Sequence, residues 1–408
     1  MSKKAILSNS MWGNLNVLFR YGLSFFATAI IAKKFGPEDF GVYQLALAYV
    51  ALFDALSFIN PSHVKNHLVA NPDDEAKVVH SWKVVNWLLV IAVMIFITVM
   101  WLWGSDRAFY VLLLYSSLRL FFRVYDFPQV LMDARLRSDL NQKSQMVSTS
   151  TFNISRSILA ILGGNLNLVA AASFFQGLGT MLYQVWASKK INLALKGKVQ
   201  KGFTWFLVKQ GLPLTFMTFL TVAQLRIFGV LLPNRMTLDE YGSLQLILKL
   251  IEPVTSIGTI IISANYTLLA KTFTENKRNF LFRFMKVSLL TMASSFLMSI
   301  ALVVFPQDLL LKAFGSAYKT GIEHLWLGPA IVAANVLFSL SVQFDMLTLS
   351  YSRTVWKCCM SIAGYVGVIM LLERVSILEA LSLNVAIPMF TVLICFPYRR
   401  LKKFFKYT

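Results

Sequence analysis

Seven basic residues fall inside long apolar stretches of this chain: Arg20, Arg119, Arg123, Arg156, Lys209, Arg226 and Lys249. A cation at the centre of a bilayer costs about 2.5–3.5 kcal/mol on an insertion scale. Four mid-stretch arginines (Arg20, Arg119, Arg123 and Arg156) would together cost about 10–14 kcal/mol against lipid, so they must face a water-filled cavity or counter-ions. Arginine stays charged and presents a fork of donors that matches phosphate oxygens. The chemistry of such a cluster is recognition of an anion, phosphate above all.

Helical phase groups these residues. Trp12, Asn16, Arg20 and Ser24 recur every four positions and form one polar stripe; Thr149, Asn153 and Arg156 form another. Arg119, Arg123 and Asp126 share a face if their segment is α-helical. Arg123 with Asp126, and Lys249 with Glu252, are spaced i,i+3, which suits either an intrahelical pair or a ligand site. Lys209 and Arg226 lie near span ends, where a long side chain reaches the interface. Asp54 and Asp126 are the candidates for ion coupling; Asp54 could pair with Arg20 or titrate a proton. Asp345 has no clear assignment. The candidate substrate contacts are Arg20, Arg119, Arg123, Arg156, Asn16, Asn153, Trp12 and Lys249.

The elements that carry these residues must be membrane helices. The chain has 408 residues, 57% hydrophobic and 14% charged, with mean hydropathy +0.62; a soluble domain is about 25% charged. Val84–Ser105, Val287–Gln307, Leu325–Phe344 and Ala380–Tyr398 contain no charge, and each is near the roughly 20 residues a bilayer core requires. Ser157–Ser188 is also uncharged but too long for one crossing, and Gly163-Gly164-Asn165 divides it. The pattern predicts about twelve spans: 11–32, 40–60, 84–103, 108–131, 146–163, 167–187, 205–231, 241–268, 286–306, 324–348, 355–372 and 379–397. Lys and Arg number 25 in one set of alternate loops and 7 in the other. This places both termini in the cytoplasm and accounts for most of the +20 net charge without nucleic acid. The three cysteines show neither metal spacing nor a disulfide pattern, the first apolar stretch is too long for a cleavable leader, and no nucleotide loop, zincin motif or nucleophile elbow occurs. No cofactor or metal is expected, and the chain reads as no enzyme.

Glu38-Asp39-Phe40-Gly41-Val42-Tyr43-Gln44 is similar to Asp239-Glu240-Tyr241-Gly242-Ser243-Leu244-Gln245 at an offset of 201 residues. Each copy opens the second span of a half. The expected architecture is an all-α membrane protein of two six-helix lobes, 1–200 and 201–408, related as a parallel repeat around a central cavity, with the basic loop 188–204 as linker.

Phe19-Arg20-Tyr21 followed by Ala32-Lys33-Lys34-Phe35-Gly36-Pro37-Glu38-Asp39-Phe40-Gly41-Val42-Tyr43 resembles the opening of bacterial polysaccharide flippases. These are the Wzx-type O-antigen and capsule transporters of the multidrug/oligosaccharidyl-lipid/polysaccharide exporter superfamily. Length and span count extend the resemblance over the whole chain. It implies ion-gradient-driven, alternating-access movement of an undecaprenyl-pyrophosphate-linked oligosaccharide from the inner to the outer leaflet of the bacterial plasma (inner) membrane. The partners would be that cargo, membrane lipids and other polysaccharide-assembly membrane proteins. Peptidoglycan-precursor flippases have two further helices, which disfavours lipid II as cargo. The alternatives are a drug/cation antiporter of the same superfamily, whose cavity should be acidic or apolar, and an O-antigen polymerase or ligase, which generally carries a large outward loop.

Overall fold

The computed structural model describes residues 3–135, 137–193, 197–348 and 350–395, and among them there is no strand. The helices are α1 (Lys3–Ala55), α2 (Pro61–Ala70), α3 (Glu75–Trp103), α4 (Arg107–Ser116), α5 (Phe127–Ala134), α6 (Ser138–Ile161), α7 (Leu166–Lys190), α8 (Phe203–Leu231), α9 (Leu238–Glu275), α10 (Lys277–Val304), α11 (Gln307–Phe314), α12 (Lys319–Ile322), α13 (Gly328–Leu347), α14 (Tyr351–Leu371) and α15 (Ile377–Ile394).

Eight are long and apolar enough to cross a bilayer: α3, α4 with its 3-10 continuation, α7, α8, α10, α13, α14 and α15. Four further crossings hold the polar residues. They are the two halves of α1, α6 with its Ser, Thr, Asn and Gln positions, and α9 with Lys249 and Glu252. Among the described residues this makes twelve helical segments of spanning length. The apolar character of α3 runs all round. Trp82, Val85, Leu89, Val93 and Ile97 are buried, while Leu88, Ile91, Ile95 and Leu102 on the other faces are exposed, as expected where lipid is the solvent.

Local chemistry sets the boundaries. Gly36 adopts φ 75°, and Pro37 follows it, so α1 breaks there into two halves. Gly163 at φ 86° and Gly164 separate α6 from α7, and Asn165 caps α7 by accepting from the Leu168 amide. Thr237 with Glu240 and Ser376 with Glu379 form capping boxes at α9 and α15.

One expected span differs. Residues 108–131 are not a single α-helix: α4 gives way to a nine-residue 3-10 stretch, Ser117–Tyr125, before α5. Runs of that length are uncommon, and they mark hinges or strained sequence.

By compactness the chain forms two units. The first comprises residues 1–35 and 42–222, the second 36–41 and 223–408. In the first, Ile59, Val64, Trp82, Phe127, Leu131 and Leu140 build an apolar cluster. In the second, Leu269, Phe280, Leu281, Phe344 and Leu347 build another.

Candidate functional site

In the first unit the two polar stripes meet. Asn16 on α1 is 2% exposed and donates through Nδ2 to Gln142 Oε1 at 2.7 Å and to Gln145 Oε1 at 2.9 Å, both on α6. Two turns along α1, Ser24 accepts from Arg156 Nη2 through its carbonyl and its hydroxyl, each at 3.5 Å. Arg156 also donates to Asn153 Oδ1 at 2.5 Å and stacks over the Phe152 ring at 4.8 Å. It is 4% exposed, and its Nε has no hydrogen-bond partner. Among the described residues no carboxylate forms an ion pair with it. A buried guanidinium held only by neutral groups is costly without an anion. Arg20, one turn before Ser24, is exposed, with its guanidinium 4.9 Å from the Tyr21 ring centre. The side chain of Trp12 lies outside the described residues.

Arg119 and Arg123 belong to a second group. Arg123 Nη1 lies 2.9 Å from Asp54 Oδ1 on α1, so the partner of Asp54 is Arg123, not Arg20, and Arg123 forms no ion pair with Asp126. Arg119 lies on the same 3-10 stretch as Arg123. The shared α-helical face of Arg119 and Arg123 does not exist. At three residues per turn, positions four apart diverge by about 120°. The four arginines thus divide between the α1–α6 stripe and the carboxylate-paired 3-10 stretch.

In the second unit Lys249 Nζ lies 2.7 Å from Glu252 Oε2, the i,i+3 pair anticipated, and Arg226 Nη2 on α8 approaches Glu252 Oε1 at 3.8 Å. A further cluster was not anticipated. Asp345 on α13 is fully buried, with Lys357 Nζ at 2.5 Å and Arg353 Nη1 at 3.6 Å. Lys357, itself fully buried, also donates to the Ser341 carbonyl at 3.1 Å. In the sequence Lys357 stands at the junction of a basic loop and the next apolar stretch. Its place inside the expected span 355–372 was the available signal. No group of His, Cys, Asp and Glu suited to a metal occurs among the described residues.

No protein-family model matches the chain, and no curated protein matches it. Solved structures do. A multidrug resistance MATE family transporter of the MOP superfamily in its inward-facing conformation aligns over 98% of this chain and 98% of its own, with TM-score 0.67 and 13% identity. Its like in the outward-facing conformation aligns over 100% and 97%, with TM-score 0.62 and 14% identity. The fold is that of MOP superfamily transporters. A third such structure is a MOP superfamily transporter from Pyrococcus furiosus, described as having a binding pocket of reverse polarity that suggests a different function. It aligns over 98% and 95%, with TM-score 0.65 and 14% identity. Within the MOP fold, twelve crossings in two lobes form a multi-pass membrane protein whose structural neighbours are transporters.

Proposed function

We propose that this MOP-fold protein flips a lipid-linked oligosaccharide, carried on undecaprenyl pyrophosphate, across a bacterial inner membrane with both termini cytoplasmic. The cargo would be an O-antigen, capsule or exopolysaccharide precursor. The observation that carries this reading is Arg156: deeply buried in a membrane helix, without a carboxylate partner, and with an unused Nε donor. It offers what a pyrophosphate needs, a fixed charge and a fork of donors, with Asn153 and Ser24 orienting the guanidinium. Arg20, one turn away on the facing stripe, supplies a second charge open to water. The polar side chains of α6, Gln142, Gln145 and Thr149, are suited to sugar hydroxyls. In this reading other polysaccharide-assembly membrane proteins deliver and receive the cargo.

The test uses proteoliposomes holding the full chain and an undecaprenyl-pyrophosphate oligosaccharide, scored by access of an external glycan-modifying enzyme. Arg156→Ala should slow flipping by about tenfold or more, given roughly 1.5–3 kcal/mol for a charged hydrogen bond. Arg156→Lys should retain part of the rate, because it keeps charge but not the fork. Normal flipping in both variants overturns the reading.

The second reading is a drug/cation antiporter, as in the multidrug transporters that share the fold. The half-exposed Asp54, with 40% of its side chain accessible, favours it. Uptake of a lipophilic cation into the same vesicles, insensitive to Arg156→Ala, would select that reading.

A further inference from the structure

In the second unit, two cations converge on one carboxylate at a place where a membrane helix is weakened. Glu252 sits between Lys249 on its own helix and Arg226 on α8. The group carries one positive charge in excess. Pro253 follows Glu252 directly within α9. Proline has no amide hydrogen, so the Lys249 carbonyl four residues earlier loses its helical donor. The ladder is therefore interrupted at Lys249, and Glu252 lies within the turn that lacks this bond.

Depth and exposure narrow the possibilities. Lys249 and Glu252 lie roughly 16–21 Å along α9 from its start, inside a helix longer than a hydrocarbon core about 30 Å thick. The side chains of Arg226, Glu252 and Lys249 are 37%, 41% and 26% exposed. Lys249 and Glu252 are costly against lipid, which favours water on the open side of this group. The contrast is the Asp345–Lys357 pair of the same unit, which is wholly buried and offers a ligand no access. A half-exposed carboxylate held by an ammonium and a guanidinium occupies the position that a phosphate oxygen would take between the same two donors.

We infer that Arg226 and Lys249 form a phosphate subsite in the second unit, whose resident occupant is the Glu252 carboxylate, displaced when an anionic headgroup binds. The subsite rests on the proposed function for the identity of that headgroup, not for its chemistry. The internal carboxylate keeps the two cations paired in the empty protein and sets a threshold: a monovalent anion exchanges one charge for one, whereas a pyrophosphate brings more negative charge than it displaces.

The experiment measures binding of inorganic pyrophosphate to the purified full chain in nanodiscs by titration calorimetry. Glu252→Gln removes the competitor and should tighten binding about three- to tenfold, the range of a partly exposed ion pair of up to about 1 kcal/mol or somewhat more. Adding Arg226→Gln or Lys249→Gln in that background should abolish the gain, which separates this subsite from the many loop cations. Glu252→Asp, which retains the charge on a shorter arm, should tighten binding less than Glu252→Gln and serves if the amide variant does not fold. Unchanged or weaker binding in the folded variants overturns the inference. If Glu252→Gln tightens pyrophosphate binding yet the wild-type chain moves no lipid-linked oligosaccharide, the cargo is wrong and the subsite stands. If the cargo moves and the binding does not change, the subsite falls alone.

Discussion

Lys357 has no exposed surface, and its ammonium is compensated by Asp345 at 2.5 Å, with Arg353 adding a second cation at 3.6 Å. Removing one partner of a buried pair leaves an uncompensated charge, at a cost of about 3–5 kcal/mol, whereas replacing both by neutral groups is often harmless. Asp345→Asn is therefore expected to lower the melting temperature of the detergent-solubilised chain sharply, and Asp345→Asn with Lys357→Met should recover most of the loss. Equal melting of the single variant and wild type would show the pair to be energetically idle. This pair was not legible in the sequence because its members lie on consecutive helices, across a turn whose geometry no periodicity reports. Lys249–Glu252 was legible because both residues are on one helix, where spacing alone fixes proximity. Asn16, Asn153 and Arg156 were legible for a similar reason: each stripe repeats at helical spacing, although which stripe faced which was not. For Asp54 the sequence left a pair with Arg20 and a titrating role open; the pair is with Arg123, because the neighbours of a carboxylate on other helices are fixed only by packing.

At the scale of elements, the repeated motif has a physical basis in the second unit. A Cβ on Gly242 would lie 1.7 Å from the Pro37 carbonyl oxygen, and one on Gly41 would lie 3.0 Å from the Gly242 nitrogen. The backbone around Gly36–Gly41 and the start of α9 touch directly, and only glycine permits it. The aromatics that precede the two glycines are both fully buried. Phe40 packs edge-on to Tyr318 at 6.1 Å, and the Tyr241 hydroxyl donates to the Gly229 carbonyl at 2.8 Å. Gly242→Ala forces one backbone away from the other and should destabilise the chain towards the upper end of the about 1–3 kcal/mol typical of overpacking. Gly22→Ala, where a Cβ meets nothing within 4 Å, should not. Resistance to proteolysis in detergent distinguishes them, and equal resistance would refute the close approach. The sequence match exposed which residues recur, but not that the two copies meet. In the same way apolar runs and Gly-Gly-Asn located the spans and the α6–α7 turn. The 3-10 stretch Ser117–Tyr125 left no mark, because its residues satisfy an α-helical pattern equally well.

For the whole molecule the open question is the source of energy. In the proposed transport cycle the work comes from an ion gradient, and Asp54 is the carboxylate to test. It belongs to the first unit, half-exposed on α1 and paired with Arg123 at 2.9 Å. A carboxylate locked permanently to a guanidinium stays charged and carries no proton. Asp54 can alternate only if Arg123 moves away during the cycle, and Arg123 is borne by a nine-residue 3-10 stretch, a conformation uncommon at that length. Rewinding the nine residues of Ser117–Tyr125 from 3-10 to α-helix would shorten the stretch by about 4–5 Å and turn Arg123 relative to Arg119, withdrawing the guanidinium from Asp54. The coupling then needs no group outside this unit. Asp54→Asn in vesicles should abolish gradient-driven flipping while leaving downhill exchange of cargo intact, because the amide removes the proton site but not the path. A static pair gives a different pattern: Asp54→Asn would strand Arg123 and impair both modes, and Arg123→Gln in the same chain would restore both. That rescue would sink the carrier role of Asp54 and assign the pair to structure.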